Sequence, residues 1–319
     1  MKSPGSHRWV IGTVVASTVV MAGAAAGTAL VKPQAGPAVR AVSSAASPSA
    51  PTAGEETVDP VTEPAPVDRD ALLADALAGV QVPDGVRLSV GVLDVASGES
   101  ATFGEDSFDT ASIVKVDILA TLLLQAQDAD RGLTATEKSY ATTMIEQSDN
   151  DSASALWRTI GEAAGLDAAN VRFGLTGTKG SDGATWGLTQ TTAADQLTLL
   201  QQVFGDGSEL SAESQTYLQG LMEEIAADQH WGVSAVADGS SWALKNGWLP
   251  RTATGLWDIN SVGRVTVAGR EFLVAVLSDG NASQAKGISL VEAAARVAVT
   301  AFGAEPEATA SGAAAAAAG

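Results

Sequence analysis

Ser112 and Lys115 are the residues whose types and spacing best suit nucleophilic chemistry in this chain. They lie three residues apart at the start of an otherwise apolar segment. In a helix this spacing places both side chains on one face, about 5 to 6 Å apart at Cβ, so the amine can reach the hydroxyl. A partly dry site lowers the pKa of a lysine, and the neutral amine is then a competent base for a serine.

Two further stretches contain groups that would complete such a site. The segment 148–150 (Ser-Asp-Asn) interrupts an apolar helical block, and the segment 245–247 (Lys-Asn-Gly) ends an apolar strand. Each stretch also has a purely structural interpretation, as does the Ser112 and Lys115 pair. A Ser-Asp-Asn turn can simply cap the next helix, and a lysine on an edge strand can simply oppose aggregation. The chemical interpretation therefore requires the fold to bring all three together.

The elements that must position these stretches can be predicted from hydrophobic periodicity. Helices are predicted at 68–80, 140–147, 152–164, 192–204, 211–227 and 288–302, and one more carries Ser112 and Lys115. Strands are predicted at 87–95, just after the turn 96–99, and at 242–246, 257–266 and 271–278. Strands joined by short turns form an antiparallel sheet. We therefore predict an α/β fold, with a five-stranded antiparallel sheet covered by the N- and C-terminal helices.

Composition excludes several classes of function. Eighteen basic and 37 acidic residues give a formal charge of −19, which disfavours a nucleic-acid partner because binding a polyanion requires lysine and arginine. The 319-residue chain contains no cysteine, so disulfides and thiolate catalysis are excluded. Its two histidines, His7 and His230, are too few for a histidine-rich metal site. We expect no cofactor and no metal.

The sequence predicts four regions. Residues 1–31 combine a basic start with a long uncharged segment, which indicates a signal peptide or an uncleaved signal anchor. Residues 32–67 are rich in Pro, Ala and Ser and predict a disordered linker. Residues 68–303 form the folded domain, and residues 304–319 an Ala-rich disordered tail. We expect the protein to be secreted, or anchored to the outer face of the plasma membrane.

The three motifs, in this order on these elements, resemble the signature elements of the class A β-lactamases and related penicillin-binding proteins. The resemblance covers residues 68–302 and implies a β-lactamase-like three-layer sandwich with a reduced all-helical subdomain at about 116–235. It implies that Ser112 attacks a carbonyl to form an acyl-enzyme while Lys115 accepts its proton. The remaining roles it implies are proton delivery to the leaving nitrogen by Ser148, hydrogen bonding to Lys115 or substrate by Asn150, and electrostatic control by Lys245.

The same resemblance implies which groups hold the substrate. The backbone N–H groups of Ser112 and Trp248 would form the oxyanion hole. Asn246 and Gly247 would contact the substrate, and a substrate carboxylate would be bound by Arg251 or Arg264. The sequence does not distinguish between the two arginines.

The chain departs from the family pattern in the loop that usually carries the deacylating glutamate. No Glu occurs between Glu162 and Glu209, and the corresponding segment 174–190 offers only Asp182 or Gln190 as weak substitutes. The third motif reads Lys-Asn-Gly where Lys-Thr-Gly is usual, and the segment between Ser112 and Ser148 is short. Without a positioned base, hydrolysis of an acyl-enzyme slows by roughly 10²- to 10⁴-fold.

We therefore predict an exported, monomeric serine hydrolase that is acylated by a β-lactam or related amide and hydrolyses it, with slow turnover. Two alternatives stay open at this stage. The first is a D,D-peptidase-like cell-wall enzyme that acts on peptidoglycan-like amides. The second is a penicillin-binding or sensor module without hydrolytic activity. The expected ligand in each case is a small molecule, and the membrane is contacted only through an uncleaved N-terminal segment.

Overall fold

The computed structural model describes residues 67–239 and 241–303. The predicted signal segment 1–31, nearly all of the predicted linker 32–67 and the predicted tail 304–319 lie outside the described residues. Within the described ranges, no helix has both the length and the apolar character needed to cross a membrane.

The sheet has five antiparallel strands in the order β2-β1-β7-β6-β5, and a two-stranded ribbon, β3-β4, lies apart from it. The strands are β1 Arg87–Asp94, β2 Ser100–Phe103, β3 Phe108–Asp109, β4 Gln190–Thr191, β5 Trp242–Pro250, β6 Trp257–Val267 and β7 Arg270–Asn281. Strand β5 is at one edge of the sheet, with β6 as its neighbour. In the β5–β6 register, Lys245 lies opposite Val262 and Gly247 opposite Asn260.

Eight α-helices surround the sheet in the described part of the chain. They are α1 Arg69–Leu77, α2 Val114–Asp128, α3 Ala135–Glu146, α4 Asn150–Ile160, α5 Glu162–Phe173, α6 Ala193–Phe204, α7 Ala212–Glu223 and α8 Gln284–Gly303. Helices α1 and α8 pack on one face of the sheet, where Val90, Val274 and Val291 belong to one apolar core. The central helices pack on the other face, where Ala243 and Val262 share a second core with α2. The predicted three-layer α/β fold with a five-stranded antiparallel sheet is confirmed.

Several boundaries differ from those predicted; α3, for example, begins at Ala135 and not at residue 140. The predicted helix 152–164 is wrong, because the chain forms two helices, α4 and α5, with a break between them. Gly161 adopts φ 93° and Glu162 φ 55°, so the backbone turns sharply through left-handed conformations at this point. Only glycine reaches such a conformation at low cost, and one glycine within a helical pattern is a weak signal of a break. Strand β5 continues to Pro250, beyond the predicted end at residue 246.

Helix α2 is the central element of the helical layer. All its residues from Val114 to Leu124 are buried, and it packs against α3, α4, α5 and α7. A helix that is enclosed all round needs apolar residues on every face, which explains the long hydrophobic run. Asp117 is an exception within this run, with 1% of its surface exposed. Asn170 Nδ2 of α5 donates to Asp117 Oδ2 at 3.1 Å.

Burial raises the pKa of Asp117 to about 7, and the hydrogen bond from Asn170 only partly opposes this effect. A carboxyl whose pKa is raised on folding stabilises the fold at low pH, and this contribution is lost as the pH rises toward the folded value. The stabilisation is therefore complete near pH 4 and is lost by about pH 7. Between these pH values the free energy of unfolding falls by roughly 4 kcal/mol at most, since one pKa unit corresponds to about 1.4 kcal/mol.

We predict that Asp117→Asn stabilises the protein at pH 8 by a few kcal/mol but has a much smaller effect at pH 4.5. An amide at this position keeps a hydrogen-bonding partner for Asn170 and removes the buried charge. Urea unfolding at the two pH values measures the difference. The matched control is Asp75→Asn, which removes an exposed carboxylate from α1. If the difference in unfolding free energy between the Asp117 variant and the wild type is the same at both pH values, Asp117 does not titrate in this way.

Candidate active site

Ser112 lies on a 3₁₀ helix, Ala111–Ile113, that leads directly into α2. The residue before it, Ala111, has φ 47°, a left-handed conformation that costs energy for a residue with a side chain. Asn260 Nδ2 on β6 donates to the carbonyl oxygens of Asp109 at 2.9 Å and Thr110 at 3.1 Å. Asn260 therefore fixes the backbone just before the nucleophile. Sequence reasoning missed this residue, because an isolated strand asparagine gives no local signal.

Lys115 lies one helical turn after Ser112 and connects the first two motifs. Its side chain is completely buried. Lys115 Nζ donates to Ser112 Oγ at 2.9 Å and to Asn150 Oδ1 at 2.9 Å. It also donates to Ser148, at 2.7 Å to the carbonyl oxygen and at 3.0 Å to Oγ. The amine thus contacts the hydroxyl whose proton it would have to accept.

Burial lowers the pKa of Lys115 to about 7, and the nearby Asp149 carboxylate opposes this effect. A large share of the amines is therefore neutral near neutral pH. An amine with a pKa near the working pH combines a useful fraction of free base with adequate basicity. The structure thus provides the condition that the sequence could only assume.

The Ser-Asp-Asn motif forms the turn between α3 and α4. Ser148 has φ 56°, a left-handed conformation. Asp149 is the N-cap of α4, and its Oδ1 accepts a hydrogen bond from Ser152 N at 2.7 Å. The stretch therefore has both predicted properties. Its middle residue caps the helix, and Ser148 and Asn150 contact Lys115.

Lys245 on β5 approaches the same serine from the sheet. Its Nζ donates to Ser148 Oγ at 2.9 Å and to the carbonyl oxygen of Asn246 at 2.9 Å. Burial, followed by repulsion from Lys115, lowers the pKa of Lys245 well below its ordinary value. With both amines donating to Ser148 Oγ, the hydroxyl proton of Ser148 is left for a third partner, which is the geometry required of a proton donor. The structure thus brings together Ser112, Lys115, Ser148, Asn150 and Lys245.

Gly247 brings β5 into contact with the turn that carries the nucleophile. A Cβ added at this position would lie 2.8 Å from Ser112 N, 2.8 Å from the Thr110 carbonyl oxygen and 2.9 Å from Ile113 N. These contacts are with backbone atoms, so a side chain could not be accommodated without moving the turn. Trp248 follows directly in the chain, which places its backbone beside that of Ser112. The oxyanion hole formed by these two N–H groups stays a prediction.

The side chain of Asn246 is buried within the protein, whereas a substrate-binding side chain would be accessible from the groove. It is completely buried, and its Nδ2 donates to the carbonyl oxygens of Gln229 at 2.8 Å and Trp231 at 3.1 Å. Its Oδ1 accepts a hydrogen bond from Ser261 at 2.6 Å. Both amide hydrogens are thus used within the protein, and the side chain holds the loop before β5 in place. The expectation that the Asn246 side chain contacts substrate is corrected accordingly.

The two candidate arginines differ in position, and each is already paired. Arg251 follows β5, and its guanidinium lies 2.5 Å from Asp109 Oδ2 and 3.5 Å from Asp258 Oδ2. Arg264 is opposite Ala243 in the β5–β6 register, on the side of Lys245 away from Gly247.

The surroundings of Arg264 leave it little freedom. It is paired with Glu223 at 2.9 Å and stacks on the ring of Phe204, 5.0 Å from its centroid. The structure therefore separates Arg264 from the nucleophile turn, whereas Arg251 is bound to that turn through Asp109.

The loop 174–190 places an aromatic ring, not a carboxylate, beside the buried amine of Lys115. The Trp186 ring centroid lies 4.9 Å from Lys115 Nζ, and its Nε1 donates to Ser154 Oγ at 3.1 Å. Asp182 is exposed, and Gln190 Nε2 donates to Asp109. Neither predicted substitute contacts Lys115 or Ser112. Trp186 is the one aromatic residue in this loop, which was the available sequence signal.

The described residues contain no group of three or more His, Cys, Asp or Glu side chains arranged to hold a metal ion.

We predict that Gly247→Ala lowers the rate of Ser112 acylation by a penicillin by up to about 100-fold, because a misplacement of about 1 Å at a reacting centre can have a cost of this size. Intact-protein mass against time measures the rate. Gly220→Ala is the matched control, since a Cβ at this position on α7 meets nothing within 4 Å. Acylation of the Gly247 variant within threefold of wild type would show that the turn tolerates the added methyl group.

Comparisons with known proteins are consistent with this geometry. The family described as Beta-lactamase enzyme family matches residues 127–302, more than half of the 319-residue chain. The matched range contains Ser148, Asn150 and Lys245 but begins after Ser112 and Lys115. No curated protein matches the sequence.

Several solved structures share the fold. PBP-A matches with a TM-score of 0.64 and 19% identity, over 73% of this chain and 96% of PBP-A. The TLA-1 extended-spectrum β-lactamase matches with a TM-score of 0.63 and 14% identity, over 73% of this chain and 98% of that one. A β-lactamase from Chitinophaga pinensis gives 0.63 and 18% identity, over 74% of this chain and 100% of that one. Because the family match spans the central helices, the strands β5 to β7 and the final helix, the chain belongs to the β-lactamase enzyme family, as a β-lactamase-related serine hydrolase.

Proposed function

We propose that this protein is acylated at Ser112 by β-lactams or related amides and hydrolyses the acyl-enzyme slowly. The observation that carries the proposal is the 2.9 Å hydrogen bond between Lys115 Nζ and Ser112 Oγ in a fully buried setting that lowers the pKa of the lysine to about 7. A serine activated in this way has a base within reach of its proton, which is the requirement for covalent catalysis.

The proposed acylation conserves protons within the site. Ser112 Oγ attacks the amide carbonyl carbon, and its proton passes to the neutral amine of Lys115. The backbone N–H groups of Ser112 and Trp248 stabilise the negative oxygen that develops. When the C–N bond breaks, Ser148 donates its hydroxyl proton to the leaving nitrogen and regains one from Lys115, which lies 3.0 Å away.

The second half of the reaction lacks a positioned base. The indole of Trp186 lies beside Lys115, while the predicted substitutes are exposed (Asp182) or bound to Asp109 (Gln190). A general base is worth roughly 10²- to 10⁴-fold, so water attacks the acyl-enzyme slowly without one. This favours an acyl-enzyme that forms more readily than it is hydrolysed.

The structural neighbours are consistent with either outcome. A mutant of PBP-A has been solved as an acyl-enzyme complex with penicillin G, whereas TLA-1 is an extended-spectrum β-lactamase. A second candidate is a D,D-peptidase-like cell-wall enzyme whose physiological acyl donor is a peptidoglycan-like amide. It is favoured by the position of the two predicted deacylating groups, since Asp182 is exposed and Gln190 is bound to Asp109. The N-terminal segment that indicates export is compatible with this candidate, and we propose an extracytoplasmic location.

We expect penicillin G to form an adduct on the full chain that persists for minutes or longer, as measured by intact-protein mass alongside the remaining free drug. The adduct should be absent in Ser112→Ala. A matched exposed serine, Ser97→Ala, should leave adduct formation unchanged. Rapid drug consumption with only a fleeting adduct would show that a water-activating group operates at this site and would contradict slow turnover.

The rate of acylation should depend on pH through Lys115. Because burial lowers its pKa to about 7, the neutral, active amine increases as the pH rises. The rate should increase about tenfold per pH unit below this value and become constant above it. The second-order rate constant measured from pH 5 to 9 tests this. Lys115→Arg should abolish acylation, whereas Lys286→Arg, at an exposed position on α8, should keep the wild-type profile. A flat profile would exclude Lys115 as the base.

A further inference from the structure

A cleft of about 360 Å³ lies beside the backbone that precedes the nucleophile. It is formed where β5 ends, where β6 begins and where the ribbon β3-β4 meets them. Its charged and polar lining includes Arg87, Asp109, Gln190, Arg251, Asp258 and Asp279. The proposed mechanism assigns no role to this cleft.

The cleft lies on the acyl side of the scissile bond. Ser148 and Lys245, which contact each other at 2.9 Å, mark the side of the leaving nitrogen. Along β5 the chain then passes Gly247, beside Ser112, and reaches Arg251 at the cleft. Arg251 is the third residue after Trp248, so about 10 Å of extended chain separates the two. The side chain of an acyl donor is therefore directed away from Lys245 and toward the cleft.

Two of the three lining carboxylates have close cationic partners. Asp109 is paired with Arg251 at 2.5 Å, and Asp279 accepts a hydrogen bond from Arg87 Nε at 3.1 Å. With three carboxylates and two guanidinium groups, the lining has an excess of negative charge.

Asp258 is the carboxylate without a close partner. Its side chain is 7% exposed, and it accepts no hydrogen bond from any residue that the structure describes. Its one ion pair is with Arg251 Nε at 3.5 Å, longer than a charge-assisted hydrogen bond. Buried carboxylates normally have hydrogen-bond donors. Asp258 thus presents a buried acceptor to the cleft with its hydrogen-bonding capacity unused.

The charges around Asp258 define the kind of group that fits. Burial raises the pKa of Asp258 to about 6, and the negative charges of Asp109 and Asp279 raise it further. The positive charges of Arg251 and Arg87 oppose this increase. A second anion would be repelled by the three carboxylates. A primary ammonium group would supply the missing donor and balance the excess charge.

We propose that this cleft is the subsite for the acyl side chain and that it selects acyl donors with a primary ammonium group on that side chain. The inference rests on the proposed function, since it names the substrate class of the same site. Asp258 provides the specificity by accepting a hydrogen bond from the ammonium, and Asp109 and Asp279 contribute through their charge. No bond is formed or broken in the cleft.

The test uses two penicillins that share one nucleus and have side chains of equal length. One has an ω-aminooctanoyl chain, which ends in an ammonium and spans about the distance from the acyl centre to the cleft, and the other has a nonanoyl chain, which ends in a methyl group. Second-order acylation rates at pH 6.5 give an ammonium-to-methyl ratio. We expect a ratio of about ten for the wild type, typical of one charge-assisted hydrogen bond in a partly open site.

Asp258→Asn should reduce this ratio to about one, whereas Asp75→Asn, which removes an exposed carboxylate from α1, should preserve it. A wild-type ratio near one, or a ratio unchanged in Asp258→Asn, would overturn the proposal. Equilibrium binding of both penicillins to Ser112→Ala, measured by calorimetry, separates the two hypotheses. If neither compound acylates Ser112, the proposed function fails, and the subsite is then decided by whether the affinity ratio also depends on Asp258.

Discussion

The hydrogen bonds of one buried amine determine how the rest of this structure is arranged. Lys115 Nζ contacts Ser112, Ser148 and Asn150, so residues from the start of α2 and the start of α4 converge on one nitrogen. A buried amine without acceptors would cost several kcal/mol, and these contacts satisfy it in either protonation state. Lys245 reaches Ser148 from the sheet, and the two amines repel each other when both are charged. Because the pKa of Lys115 is about 7, the pair carries a total charge below +2 near neutral pH.

This convergence requires strained backbone that the surrounding fold must hold. Ala111 and Ser148 both adopt left-handed conformations, each at a cost of order 1 to 3 kcal/mol. The strain at Ala111 is held by Asn260 and by the close contact of Gly247 with the turn. The strain at Ser148 is held by the capped start of α4 and by the two lysines. The sheet and the helical layer thus each support one serine, and the site lies where they meet.

Much of the fold was predictable because its elements obey strong local rules. The periodicity of the strands and helices, together with short turns, identified the antiparallel sheet and its covering helices. Three motifs in the right order identified the residues that meet at Lys115. The side of β5 to which Asn246 points depends on its partners Gln229, Trp231 and Ser261, which are distant in the chain. The roles of Asn260 and Trp186 likewise depend on contacts across the fold, and no local pattern reveals them.

The edge position of β5 allows a substrate to be bound through its main chain. In the part of the chain that the structure describes, β5 has β6 on one side and no strand on the other. An edge strand leaves alternate N–H and C=O groups available along its outer side, and an extended peptide can add to it as a further strand. An acyl donor aligned in this way is held by its own main chain. Recognition by backbone pairing tolerates changes in the side chains of the acyl donor. The pockets at the two ends of the added strand then determine which acyl donors are preferred.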